Sequence, residues 1–135
     1  MKTDDMDKII QLDTHYSRSI NLERDADSRD ILNAYIPTTR AIQTLDKIAE
    51  TFNNKSAPRA WSLVGPYGSG KSSFAVFLSH LLEDQELETN LNAEAILQRH
   101  NPLIADKITA HTKGSNAYCI LLLTGSPESL SKRFY

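Results

Sequence analysis

The feature that most restricts what this chain can fold into is a glycine-rich octapeptide set between two apolar stretches. Gly65-Pro66-Tyr67-Gly68-Ser69-Gly70-Lys71-Ser72 fits the pattern G-x-x-x-x-G-K-[ST]. A short apolar run (Trp61, Leu63, Val64) precedes it, and Phe74, Phe77, Leu78, Leu81 and Leu82 follow at helical spacing, widened by Ala75 and Val76. This order predicts a strand ending near Val64, a tight loop, and a helix beginning near Lys71. The helix is expected to lie largely buried against a sheet.

The residue types match a phosphate-binding loop of the Walker A kind. Several N–H donors must converge on one phosphate, so the backbone has to curl through conformations that a Cβ disfavours, and Gly65, Gly68 and Gly70 permit it. The first turn of the helix adds unpaired N–H groups and the positive end of its dipole. Lys71 is expected to reach the β- and γ-phosphates, with no structural partner legible for its ammonium, and Ser72 to place its hydroxyl on Mg²⁺. Pro66 lacks an N–H but precedes the donors that matter. The binding loop is therefore read as Gly65, Pro66, Tyr67, Gly68, Ser69, Gly70, Lys71, Ser72 and Ser73. The competing explanation is a chance match in a Gly/Ser-rich turn. With glycine at about 7% of residues, that match arises in roughly one chain in a few hundred of this length. Three of the five glycines lie in this loop.

The 135 residues are enough for one domain with a core. A net charge of −2 provides no basic field for nucleic acid, which is expected as a partner only of a larger full-length protein. The single cysteine, Cys119, excludes an internal disulfide; its apolar neighbours predict a buried thiol. The acidic start resembles no signal peptide, and no apolar run is long enough to span a bilayer. A cytoplasmic protein without membrane contact is expected.

Residues 1–34 read as an N-terminal arm, with a short helix in Met1–Tyr16 and then, from Ser17 to Asp30, a charge-alternating stretch read as solvated or loosely packed, against a phosphate-facing patch of Arg18, Arg24 and Arg29. Pro37 holds Ile36 extended. Thr38 or Thr39 should cap a helix to about Phe52, whose inward face is Ile42, Leu45, Ile48, Ala49 and Phe52, with Arg40, Asp46, Lys47 and Glu50 turned away. After an acidic loop from Glu83 to Glu88, Asn92 is expected to cap one short helix. Asn101-Pro102 should start another, with Leu103, Ile104 and Ile108 facing inward. The unbroken apolar run Tyr118–Thr124 predicts a buried parallel strand, and Ser126-Pro127-Glu128 a further helix start. The four histidines (His15, His80, His100, His111) lack metal-ligand spacing and are read as surface or helix-face residues.

Tyr35 to Leu82, YIPTTRAIQTLDKIAETF followed by RAWSLVGPYGSGKSS, resembles the start of AAA+-like ATPase modules of the origin-recognition and STAND type. GPYGSGKSS is also similar to loops of large bacterial ATP-binding proteins, some linked to defence against phage. The resemblance implies a three-layer α/β fold with a parallel sheet, with residues 35–135 as the N-terminal part of a domain continuing further. It also implies ATP and Mg²⁺ as ligands, protein partners or self-assembly, and Tyr35-Ile36-Pro37 beside the adenine, against a core-packing role for those three. Hydrolysis would need an acid at a strand end. None follows Tyr118–Leu123, which leaves an acid beyond Tyr135, a degenerate strand, or Thr124 as a polar sensor. Asp84 and Asp106 are the acids to examine otherwise. An ATPase segment, a non-hydrolysing nucleotide-dependent interaction module and a small-molecule kinase remain alternatives. This stretch alone is expected to bind nucleotide weakly and to hydrolyse little.

Overall fold

The computed structural model describes residues 20–25, 29–54, 56–83, 87–113, 118–123 and 125. Among the described residues six helices follow one another: α1 (Leu22–Asp25), α2 (Arg29–Asn33), α3 (Thr39–Thr51), α4 (Lys71–Leu82), α5 (Glu88–His100) and α6 (Pro102–Thr112). The expected helix in Met1–Tyr16 and the start at Ser126-Pro127-Glu128 lie outside the described residues.

Local signals account for two of the long helices. Thr38, extended at φ −73° and ψ 161°, accepts the Ala41 N–H on its hydroxyl at 3.2 Å and opens α3. Asn101 does the same for α6 through Ile104 N–H at 3.2 Å, with Pro102 occupying the first helical position, where a missing N–H costs nothing. From α3, Ala41, Leu45, Ile48 and Ala49 are buried, with Ile42 and Phe52 packed at their margin. They join Phe74, Phe77 and Leu81 of α4, Ala93, Ile96 and Leu97 of α5, and Ile104, Ala105 and Ile108 of α6 in one core. Leu32 of α2, 1% exposed, belongs to it as well, and Asp25 is buried while paired with Arg24 at 2.9 Å. Part of the stretch read as a solvated arm is thus packed on the bundle.

The α/β expectation is corrected. The described residues contain helices and no strand, and α4 buries its apolar face against α2, α5 and α6 rather than on a sheet. Trp61–Val64 and Tyr118–Leu123 form neither helix nor strand. Most of their side chains are exposed, Val64 to 90% and Leu121 to 66%, while Ile120 and Leu122 are half-buried. An apolar run states a demand for burial; a strand forms only where a neighbour supplies backbone partners. Tyr118 instead donates its N–H to Leu82 O, at the C-terminal end of α4, at 3.1 Å.

Three smaller expectations also change. α5 begins at Glu88, with Leu87 at the cap position and no side-chain cap bond, so Asn92 lies inside the helix. Leu103 is 76% exposed although Ile104 and Ile108 are buried. Cys119 is exposed.

Candidate phosphate-binding loop

Residues 61–64, irregular in structure, deliver the chain into the loop. Ser69 N–H closes a turn on Pro66 O at 3.4 Å. Gly68 and Gly70 then take left-handed conformations, φ 76° and 78°, which side-chain-bearing residues rarely adopt. Gly65 is constrained differently, since a Cβ there would stand 3.0 Å from Ser69 Oγ. Gly70 is the N-cap of α4 and supplies no side-chain acceptor. The orphan N–H groups of the first turn, on Lys71, Ser72 and Ser73, are left to a ligand or to water.

Lys71 folds back over this loop. Its ammonium donates to Pro66 O at 2.7 Å, to Gly65 O at 2.9 Å and to Ser69 Oγ at 3.2 Å. The expectation that it has no structural partner is therefore corrected: the ammonium ties the two ends of the loop together and carries its charge to the loop centre.

The loop forms one wall of a cleft of about 430 Å³, within the size range of small-molecule sites. Gly65, Gly68, Ser69, Gly70, Lys71 and Ser73 line it, together with Leu63, Val64 and Phe74. The opposite wall comes from the segment entering α3 and from its first turns: Tyr35, Ile36, Thr38, Arg40, Ala41 and Thr44. Pro66 and Tyr67 belong to the loop but not to the lining, and Tyr67 is 90% exposed. Ser72 sits half-buried in the first turn of α4, outside the lining. Of the three residues set beside adenine in the sequence reading, Tyr35 and Ile36 line the cleft and Pro37 is buried. Tyr35 also packs on Phe77, ring centroids 4.6 Å apart, so it serves core and cleft together.

Arg40, Thr38 and Thr44 are the lining residues that sequence periodicity missed. Periodicity places Arg40 off the apolar face of α3, which is correct, but it does not say that a second wall lies there. The available signal was position: Arg40 stands two residues after a cap, in a segment that already resembled a ligand wall.

Among the described residues, no carboxylate lines the cleft. Asp106 is exposed on α6 and is absent from that lining, while Asp84 and Thr124 fall outside the described residues. No group of His, Cys, Asp and Glu among the described residues could hold a metal ion. The histidines divide in an unexpected way. His80 is 4% exposed, its Nδ1 2.6 Å from Glu83 Oε1, and Thr89 Oγ1 donates to that same oxygen. Asn90 donates to His80 O at 2.8 Å and to Glu83 O at 3.4 Å, with its own Oδ1 buried and without a partner. His111 stacks on Phe52 at 4.1 Å, and its Nε2 is 2.8 Å from Tyr118 Oη. These clusters join helix ends, and their residues are not among those lining the cleft.

No protein-family profile, curated protein or solved structure matches this chain. No helix among the described residues is long and apolar enough to cross a membrane.

Proposed function

We propose that Gly65–Ser73 holds the phosphate chain of a nucleoside triphosphate, ATP with Mg²⁺, in the cleft between the loop and the start of α3. The observation that carries this reading is the start of α4. An uncapped helix N-terminus, entered through two left-handed glycines, stands beside a lysine ammonium drawn over the same loop. Backbone N–H groups, a helix dipole and a fixed cation are the three means by which proteins hold phosphate without base contacts. A Cβ at Gly65 would stand 3.0 Å from Ser69 Oγ, so a larger residue there would displace the Ser69 hydroxyl from the loop. Ser72 is the residue of the pattern that would hold Mg²⁺; it stands in the first turn of α4 but outside the cleft lining, so the ion would enter mainly with the phosphates, whose charge it would neutralise. Tyr35, Ile36 and Leu63 supply apolar surface suited to a base. In this reading nucleotide binding powers or switches a larger assembly, as in the AAA+-like ATPases that residues 35–82 resemble.

A second reading, nucleotide binding without turnover, has an observation in its favour. The cleft lining holds no carboxylate among the described residues, so it supplies groups that bind phosphate and none that would orient an attacking water.

Calorimetric titration of Mg-ATP into the wild-type chain and Lys71→Ala tests the assignment. Lost charge-assisted bonds of about 1.5–3 kcal/mol predict an affinity reduced on the order of 10- to 100-fold. Because Lys71 also ties the loop, thermal unfolding is followed in parallel. Equal affinities in two folded proteins, or no binding by the wild type, would overturn the proposal.

A further inference from the structure

We infer that Arg40 is a second cation of this site and sets its preference for a triphosphate over a diphosphate. The inference rests on the nucleotide reading and adds a residue from the opposite wall. Two helix starts face the one cleft: α3 contributes Thr38 and Arg40, α4 contributes Lys71 and Ser73. Both present the positive end of a helix dipole. Arg40 stands in the first turn of α3 and is exposed, with no ion-pair partner among the described residues. Arg24, Arg29 and Lys107 are paired, with Asp25, Glu88 and Asp46. Lys47, Arg59 and Arg99 are exposed like Arg40, but among the described residues only Arg40 and Lys71 bring positive charge to the cleft lining.

The chemistry of the two cations differs. The Lys71 ammonium is already spread over three oxygens of its own loop. A guanidinium offers a planar fork of N–H donors that matches two phosphate oxygens at once. With two cations and no carboxylate in the lining among the described residues, each further negative charge on the ligand is favoured from both walls. The periphery of the site therefore reads ligand charge, while the loop reads the presence of phosphate.

The experiment compares ATP and ADP binding, both with Mg²⁺, for the wild type, Arg40→Gln and Arg40→Lys at two salt concentrations. Arg40→Gln is expected to lower ATP affinity about 10-fold, as for loss of one charged hydrogen-bonding group. ADP should lose distinctly less, so the ATP-to-ADP preference falls. Arg40→Lys should recover part of it, and the salt dependence of ATP binding should weaken in Arg40→Gln. Thermal midpoints should stay unchanged, since the side chain is exposed and unpaired. If the wild type binds neither nucleotide, the nucleotide reading and this inference fall together. If it binds both and Arg40→Gln leaves their ratio unchanged, the inference alone falls. Equal losses for ATP and ADP with a lowered midpoint mark a structural role and overturn it too.

Discussion

Helices α4 and α6 are neighbours of nearly equal length, 12 and 11 residues, yet they begin in opposite ways. α6 closes its own start: Asn101 stands extended, its side chain takes the Ile104 N–H, and Pro102 removes a donor outright. α4 does neither. Gly70 turns left-handed, offers no side chain, and is followed by a lysine and two serines. A helix that serves only the core gains about 1 kcal/mol from a good cap. Leaving α4 uncapped forgoes that stabilisation and keeps several N–H donors available at one point.

The contrast can be broken most severely at Gly70. Gly70→Ala meets no atom within 4 Å, so its cost is conformational: a non-glycine residue held left-handed, about 1–2 kcal/mol. Denaturant unfolding should show that loss, and Mg-ATP affinity should fall with it as the loop relaxes toward negative φ. A stable Gly70→Ala protein with undiminished affinity would erase the distinction between the two helix starts.

Asn101→Ala sharpens it from the other side. Removing the α6 cap should cost about 1 kcal/mol while Mg-ATP affinity stays at the wild-type value, because that start faces no cleft residue. Paired unfolding and calorimetry check both halves of this statement.

The smallest effect belongs to Lys107, whose ammonium lies 2.9 Å from Asp46 and joins α6 to α3. Its pKa is raised, first by the hydrogen bond to Asp46 and then by that residue's charge. Since the folded value exceeds the unfolded one, the contribution is complete below the ordinary lysine value and disappears as pH rises through the folded value. Lys107→Met should therefore lower the thermal midpoint slightly at neutral pH, by less than Asn101→Ala. The difference should vanish in strongly alkaline buffer, and a gap that persisted there would assign the effect to packing.

What the sequence discloses follows from where each signal resides. Thr38 and Asn101-Pro102 carry their caps locally, and the spacing of Leu45, Ile48 and Ala49 carries its own face, so α3 and α6 are legible. α5 starts at Leu87 without a polar cap, and Asn92, a good cap residue in an available place, draws the boundary too late. The runs at 61–64 and 118–123 have strand-like composition, but pairing is a property of two segments and neither run encodes its partner. At the site, the glycine conformations and the helix start are legible because both lie within a few residues, whereas the bonds of the Lys71 ammonium to its own loop are not. Arg40 and Thr44 are not, because their place in the cleft depends on where the start of α3 stands relative to the glycine loop, which no local spacing expresses.

The far end of α4 gives the loop a mechanical setting. Twelve helical residues span about 18 Å. At that distance Glu83 takes Thr89 Oγ1, Asn90 reaches His80 O and Glu83 O, and Tyr118 N–H holds Leu82 O. The helix thus joins the glycine loop at one tip to a clasp with α5 and residue 118 at the other. A displacement of the glycine loop along the helix axis would therefore work against the bonds that His80, Leu82 and Glu83 make at the far end.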